Sequence, residues 1–208
     1  MKAFVYVGGE IFPEYITHIP EKGNLTVAAD SGMKNAARLG VTPDIFVGDF
    51  DSYDEKSLPD GIEKIKVPPV KDLTDAQIAV SCALEKGARE IVIIGGISGR
   101  LDHTLSNTSL LEDLSLRRVH AFITDGRNRV RFLSSTSILI GKSPFRYISI
   151  IAVSEKLKGV DIEGCKYPLK NAVINRGLQY AVSNEIEGNC ALISIKKGAA
   201  LIIESRDI

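Results

Sequence analysis

The sequence LTVAADSGMKNAARLGVTPDIFVGD, residues 25–49, contains two short apolar runs on either side of a segment with helical character. The runs 25–30 and 44–49 are almost continuously apolar, as strands are when helices cover both faces of a parallel sheet. A strand, a helix and a second strand in this order predict one repeating unit of an open parallel sheet.

The same alternation continues through the first 125 residues. Further strand-like runs lie at 2–9, 62–67, 90–96 and 119–125, and further helical patterns at 73–87 and 101–114. We therefore predict an N-terminal domain over residues 1–125 with an open parallel α/β fold of the Rossmann-like, nucleotide-binding type.

After residue 125 the helical patterns stop. Eight short strand-like runs follow, separated by Gly, Asn, Ser and Pro, and one of them is QYAVSNEIEG at residues 179–188. Such a series predicts an antiparallel β-sandwich over residues 126–208. The polar segment TDGRNRV, residues 124–130, marks the expected domain boundary.

Composition excludes several classes of protein. The 26 Lys and Arg residues balance the 26 Asp and Glu residues, so there is no overall basic field to hold a nucleic acid. The beginning of the chain resembles a first strand rather than a signal peptide, and no apolar run is long enough to span a membrane. Three cysteines without a CxxC pair indicate neither a disulfide framework nor a zinc site. We expect a cytoplasmic protein that binds no membrane.

Polar side chains follow four of the predicted strands. In open α/β sheets, ligands bind beyond the carboxyl ends of the strands, so these side chains are expected to converge on one edge. The candidates are Asp30, Asp49, Asp51, Lys71, Asp72, Asp75, Arg100, Asp102 and His103.

Most of these residues also have a purely structural interpretation. Asp30 could cap the helix that follows it, and Asp72 could be the N-cap of the helix at 73–87 with Asp75 near its positive end. His103 could stand at a helix start without a catalytic part, and the glycines of GGISG, residues 95–99, could only shape a loop.

The motif GDFDS, residues 48–52, is harder to explain by structure alone. In an extended chain, Asp49 and Asp51 point to the same face and repel each other unless a cation or hydrogen-bond donors compensate them. Carboxylates without neighbouring Cys or His ligands suit Mg²⁺, which commonly binds one or two of them together with substrate phosphates. Glycine amides and Arg100 could hold further phosphate oxygens, which predicts phosphoryl-transfer chemistry.

Taken together, the motifs resemble those of the thiamin pyrophosphokinase family. They are AADSG (28–32), PDIFVGDFDS (43–52), KDLTDAQIA (71–79), GGISGRLDHTLSN (95–107), YPLK (167–170) and VSNE (182–185). The resemblance spans nearly the whole chain. It implies transfer of pyrophosphate from ATP to the hydroxyl of thiamin, which gives thiamin diphosphate and AMP. It also implies an α/β nucleotide-binding domain followed by a β-sandwich, in a homodimer with shared active sites.

The resemblance also implies roles for individual residues. The expected catalytic residues are Asp49, Asp51, Asp75 and Asp102, of which the first three also bind Mg²⁺. The expected ATP and phosphate region contains Asp30, Asp72, Arg100, His103 and Asn107. The expected thiamin contacts are Ser183 and Asn184. The chain departs from the family at Ser31, where Gly is common, and it lacks Trp, which leaves Tyr180 as a possible contributor to the thiamin site.

Two other functions remain open from the residues alone. A metal-dependent phosphohydrolase acting on a nucleotide or phosphoester would use the same acidic cluster, although it would not need the polar Ser183-Asn184 step in a second domain. A non-enzymatic nucleotide-binding module would hold phosphates without turnover. Both are less consistent with the complete set of motifs than a kinase.

Overall fold

The computed structural model describes residues 1–48, 59–67 and 73–207 of the 208-residue chain. These residues form two compact units, Met1–Gly126 and Arg127–Ile208. Within the described residues, no helix is long and apolar enough to cross a membrane. Asp49, Asp51 and Asp72 lie outside the described residues.

The first unit contains a parallel sheet with helices between its strands. Its elements are β1 (Lys2–Tyr6), a 3₁₀ turn (Pro13–Tyr15), β2 (Leu25–Ala29), α1 (Gly32–Arg38), β3 (Ile45–Gly48), β4 (Glu63–Lys66), α2 (Asp75–Glu85), β5 (Glu90–Ile94), α3 (Leu101–Leu116) and β6 (His120–Thr124). Its strands lie in the order β4-β3-β2-β1-β5-β6, and all the pairs are parallel. The prediction of a parallel α/β region is confirmed.

The centre of this sheet is the strand β1, whose residues Ala3 to Tyr6 are all buried. Alternate side chains of a strand point to opposite faces, so burial at every position means that both faces are covered. On one face Phe4 and Tyr6 pack in a cluster with Met33 and Ala36 of α1. This cluster anchors α1 directly beyond the carboxyl end of β2.

The start of α2 differs from the structural interpretation of the sequence. Thr74 is the N-cap, and its hydroxyl accepts a hydrogen bond from the backbone N–H of Gln77 at 3.3 Å. The expectation that Asp72 could be the N-cap is therefore wrong, because a helix has one N-cap and Thr74 occupies it. Asp75 is the first helical residue.

In the second unit, residues 127–207 form strands and connecting loops and contain no helix. They are β7 (Asn128–Ser134), β8 (Ser137–Gly141), β9 (Tyr147–Ala152), β10 (Lys156–Glu163), β11 (Leu169–Asn175), β12 (Cys190–Lys197) and β13 (Ala199–Ser205). Antiparallel pairing gives the orders β7-β13-β9 and β11-β10-β12-β8. Side chains from both groups share one buried cluster, which includes Ile150 and Ile202 from the first and Ile162 and Ile193 from the second.

One predicted strand of this unit is wrong. Residues 179–188 form no continuous strand and contribute only the isolated bridges Ile148–Asn184 and Cys165–Ile186. The reason is local backbone geometry, because Ala181 and Ser183 have φ values of 63° and 57°. Left-handed residues interrupt the extended alternation that a strand requires.

Candidate functional site

A pocket of about 540 Å³ lies beyond the carboxyl ends of β1, β2 and β5. Here the strand order changes direction, since β2 and β5 flank β1 on opposite sides. Crevices of this kind are the usual ligand sites of open α/β sheets. The lining residues are Val7, Gly8, Gly9, Ala29, Asp30, Ser31, Thr74, Asp75, Ala76, Gly96, Ser98, Gly99, Arg100, His103 and Asn107. Five residues predicted from the sequence therefore lie around one pocket: Asp30, Asp75, Arg100, His103 and Asn107.

Two glycine-containing loops, residues 7–10 after β1 and residues 95–99 after β5, form one side of the pocket. They are joined by a backbone hydrogen bond from Gly96 N–H to the Gly8 carbonyl at 2.8 Å. The Ser98 hydroxyl adds a second link, because it accepts from Glu10 N–H at 2.7 Å and donates to the Glu10 carbonyl at 3.1 Å.

The close approach of these loops requires glycine. A Cβ at Gly95 would lie 2.5 Å from the Val7 carbonyl oxygen, and Gly95 and Gly96 both have positive φ. The second loop is predicted from the GGISG segment, whereas the first loop was not predicted. The available signal was the Gly8-Gly9 pair immediately after the first predicted strand.

Asp30 lies in a strained and partly buried position at the end of β2. Its φ is 45°, a left-handed conformation that Asp tolerates better than most residues, and its N–H donates to the Val47 carbonyl at 2.8 Å. Its Oδ1 atom is buried and has no hydrogen-bond partner among the described residues. A buried acceptor without a partner is costly, and backbone strain tends to be kept at functional sites.

The adjacent residue, Ser31, stands where the family motif commonly has Gly. Its φ of −60° and ψ of −12° are ordinary right-handed values, so this position does not need glycine. Its hydroxyl oxygen lies 2.4 Å from the point where a Cβ on Gly8 would stand. The Ser31 side chain therefore fills space above the first glycine loop.

Asp75 reaches the pocket from the first turn of α2. The positive end of the helix dipole favours a carboxylate at this position, so local structure alone would tolerate it. Asp75 also lines the same pocket as Asp30, and the stability of the helix does not require this. The structure thus brings together two carboxylates that are far apart in sequence.

Arg100 and Asp102 form an exposed ion pair at the start of α3. The Arg100 guanidinium donates from Nε to Asp102 Oδ1 at 3.1 Å and from Nη2 to Oδ2, and Asp102 Oδ1 also accepts from His103 N–H at 2.9 Å. The hydrogen bond from Arg100 lowers the pKa of Asp102, and the same bond raises the pKa of Arg100. A carboxyl group with a lowered pKa is a weaker proton acceptor.

Asn107 is buried on α3, and its side chain does not lie free in the pocket. Its Nδ2 donates to the Gly96 carbonyl at 2.8 Å. A Cβ at Gly96 would stand 2.7 Å from the same nitrogen. In the structure Asn107 therefore holds the second glycine loop through the Gly96 carbonyl.

The second unit has its own pocket of about 460 Å³, which is lined by Ile162, Lys166, Tyr167, Pro168, Leu169, Tyr180, Ala181, Val182 and Asn184. Asn184 is 3% exposed, and its amide is largely occupied within the protein. Its Oδ1 accepts from Tyr167 N–H and Glu185 N–H, both at 3.0 Å, and its Nδ2 donates to the Tyr167 carbonyl at 2.7 Å. Three of the four hydrogen-bonding positions of the amide are thus filled.

Ser183 differs from its neighbour because it is exposed. Its backbone N–H donates to the Ser149 hydroxyl at 2.9 Å, which holds the left-handed turn against β9. Its own side chain remains available at the surface of this unit.

Comparison with known proteins matches both units to one family. The family model of the thiamin pyrophosphokinase catalytic domain matches residues 16–123. The family model of the thiamin pyrophosphokinase vitamin B1 binding domain matches residues 135–200. A thiamine pyrophosphokinase of Bacillus subtilis (strain 168) is 32% identical over 217 residues, which cover all of both chains.

Solved structures give the same result. A crystal structure of thiamine pyrophosphokinase from Bacillus subtilis has a TM-score of 0.90 and 29% identity, and the alignment covers all of both chains. That of thiamin pyrophosphokinase from Geobacillus thermodenitrificans has a TM-score of 0.87 and 28% identity, covering all of this chain and 98% of that one. The chain belongs to the thiamin pyrophosphokinase family.

Proposed function

We propose that the chain transfers pyrophosphate from ATP to the hydroxyl of thiamin in a Mg²⁺-dependent reaction that gives thiamin diphosphate and AMP. The observation that carries this proposal is the pocket at the centre of the first unit. It combines two glycine loops suited to phosphates with the carboxylates of Asp30 and Asp75 and the guanidinium of Arg100.

The side chains of the pocket fit a magnesium ion. Asp30 offers a buried carboxylate oxygen that has no hydrogen-bond partner among the described residues, and Asp75 lines the same pocket. Residues 1–48, 59–67 and 73–207 by themselves contain no group of three metal-ligating side chains, so the proposed site also needs Asp49 and Asp51. When bound, Mg²⁺ neutralises negative charge on the phosphate oxygens.

The chain's own groups would orient the nucleotide. The glycine loops offer backbone N–H groups, and the Arg100 fork can hold two phosphate oxygens at once. Asp102 holds this fork beside the pocket through two hydrogen bonds. Phosphate oxygens would compete with the Asp102 carboxylate for the same donors.

The proposed chemical step is a direct in-line displacement. A bond forms between the thiamin hydroxyl oxygen and the β-phosphorus, and the bond from this phosphorus to the oxygen bridging the α-phosphate breaks. AMP leaves with the electron pair, and the hydroxyl proton passes to a carboxylate of the acidic cluster or to water. Asp102 is a poor acceptor for this proton, because the hydrogen bond from Arg100 lowers its pKa.

The second unit supplies the proposed thiamin pocket, which has the apolar rings of Tyr167 and Tyr180 on its surface. On the basis of the family, we further propose that the first domain is Rossmann-like and the second is a β-sandwich. We also propose that the protein is cytoplasmic and forms a homodimer with shared active sites. Sedimentation of the purified protein tests the dimer, and a single monomeric species would contradict it.

The experiment that tests the function is incubation of the purified chain with ATP, Mg²⁺ and thiamin. AMP and thiamin diphosphate should form in equal amounts, and AMP should not form without thiamin. Release of AMP or phosphate without thiamin would instead favour a phosphohydrolase. A stable ATP complex without turnover of any acceptor would favour a binding module.

Arg100→Lys should lower kcat/KM for ATP about tenfold, because losing one charge-assisted hydrogen bond of the fork costs about 1.5 kcal/mol or more. Arg100→Ala should be more impaired because it loses the charge as well. Steady-state kinetics with varied ATP measures both variants. Exposed Arg117, which pairs with Asp113 at the other end of α3, provides the control Arg117→Lys. Equal activity of the Arg100→Lys variant and the unchanged protein would remove Arg100 from the phosphate site.

Ser183→Ala and Asn184→Ala should have different effects although the two residues are adjacent. Ser183→Ala should raise KM for thiamin more than KM for ATP and leave the melting temperature unchanged, because this side chain is exposed. Asn184→Ala should lower stability by about 1–3 kcal/mol, since it leaves backbone groups of Tyr167 without partners. Thermal unfolding and kinetics distinguish the two, and equal melting temperatures would contradict the structural role of Asn184.

A further inference from the structure

Asn35 on α1 is a buried amide outside the motifs that predict the site. It is 4% exposed, and its Nδ2 donates to the Val7 carbonyl at 2.8 Å and to the Gly9 carbonyl at 2.9 Å. One side chain thus holds two peptide groups of the loop that follows β1. Both donors of the amide nitrogen are used for this loop.

These contacts fix the direction of the intervening N–H groups. No peptide bond in the described residues is cis, and in a planar trans peptide the carbonyl and the following N–H point in opposite directions. Because the Val7 carbonyl accepts from Asn35, the Gly8 N–H points away from Asn35. Because the Gly8 carbonyl accepts from Gly96 N–H, the Gly9 N–H points away from Gly96.

The third peptide of the loop follows the same rule. The Gly9 carbonyl accepts from Asn35, and the Glu10 N–H on the opposite side donates to the Ser98 hydroxyl at 2.7 Å. Three consecutive peptide planes are therefore fixed. The N–H groups of Gly8 and Gly9 donate no hydrogen bond within residues 1–48, 59–67 and 73–207, and both glycines line the pocket.

A glycine pair would not keep this arrangement by itself. Glycine has the widest range of backbone conformations, and Gly9 has a φ of 97°. The loop needs an external contact that selects one conformation, and Asn35 provides it from a helix anchored in the core.

We propose that Asn35 is a positioning residue that holds the N–H groups of Gly8 and Gly9 towards the phosphates of the nucleotide. This inference rests on the proposed function, because it takes ATP as the ligand of the pocket. Asn35 does not itself touch the substrate. Asn107 has the corresponding contact with the second loop through the Gly96 carbonyl.

The test compares Asn35→Asp and Asn35→Ala with a control variant. The aspartate keeps the size of the side chain but replaces the donor nitrogen with an acceptor oxygen. Thr26→Val is the control, because the buried Thr26 hydroxyl donates to Asp44 Oδ2 at 2.7 Å at the opposite end of β2 from the pocket. All three variants remove a buried hydrogen-bond donor from the first unit.

The measurements are affinity for a non-hydrolysable ATP analogue by calorimetry and steady-state kinetics per folded molecule. Both Asn35 variants should bind the analogue at least about tenfold more weakly and lose kcat/KM for ATP by a similar factor, since displacements of about 1 Å can cost up to 100-fold. KM for thiamin should stay within about twofold, because the thiamin pocket is proposed in the other unit. Thr26→Val should match the unchanged protein in both measurements.

Several outcomes would overturn the role of Asn35. They are analogue affinity equal to that of Thr26→Val, equal losses for ATP and thiamin, and failure of both Asn35 variants to fold while Thr26→Val folds. If the unchanged chain binds the analogue but forms no AMP, the proposed function is contradicted, and the comparison of affinities still tests Asn35. Ser98→Ala provides a second variant, because it removes the exposed link between the loops and should weaken analogue binding in the same direction.

Discussion

Asp75→Asn should lower kcat/KM by more than about 100-fold, because loss of a metal ligand should exceed the 10- to 100-fold cost of losing its supporting partners. The substitution keeps the size of the side chain and removes its charge. The attraction of this charge to the positive end of α2 contributes about 0.3–1 kcal/mol to stability, so the melting temperature should fall by a few degrees.

The measurement is the rate of AMP formation over a range of Mg²⁺ concentrations. Glu85→Gln, at the other end of α2, is the matched control and should retain normal activity and normal Mg²⁺ dependence. Asp51→Asn is expected to behave like Asp75→Asn on the basis of the sequence motif. Normal turnover of the Asp75→Asn variant at limiting Mg²⁺ would show that Asp75 is not a metal ligand.

Gly32→Ala should destabilise the first unit by about 3 kcal/mol or more, at the upper end of the cost of overpacking. An added Cβ would lie 2.1 Å from the Tyr6 carbonyl oxygen and 2.8 Å from Val7 Cα. These are backbone atoms at the end of the central strand, so they cannot move aside as a flexible side chain would. Displacement of α1 should also separate Asn35 from its loop.

Chemical denaturation measures this effect, with Gly141→Ala as the control. Gly141 lies in β8, and no atom lies within 4 Å of the position of its Cβ, so the change should stay within about 0.5 kcal/mol. A Gly32→Ala protein as stable as the control would contradict the close packing of α1 on β1.

The parallel sheet was predictable because its strands are nearly continuous apolar runs that alternate with helical segments. The acidic residues at strand ends were predictable for the same reason, since Asp30 and Asp75 each follow a recognisable change from strand to loop or from loop to helix. Loop contacts across the sheet were harder to predict. The positioning role proposed for Asn35 depends on hydrogen bonds to a loop that lies 26–28 residues earlier in the chain. No local sequence pattern indicates these contacts.

In the second unit, alternation of apolar and polar residues in a short segment predicted a strand that does not form. QYAVSNEIEG has the composition of a strand, but the φ values of Ala181 and Ser183 exclude one. Asn184 was predicted as a thiamin contact from the resemblance to the family, and an amide can donate and accept at once. The structure shows that the same capacity serves the backbone of Tyr167, which only the fold brings near.

The position of β1 between β2 and β5 has a consequence for synthesis of the chain. One edge of β1 can pair with β2 once Ala29 has been made, but its other edge pairs with β5, which ends at Ile94. At 5–20 residues per second, the ribosome needs about 3–13 s to make the chain between these two points. During this interval a buried, apolar strand has an open edge, which is a template for aggregation. The nascent first unit should therefore depend on chaperones or on a shielded exit path until β5 has emerged.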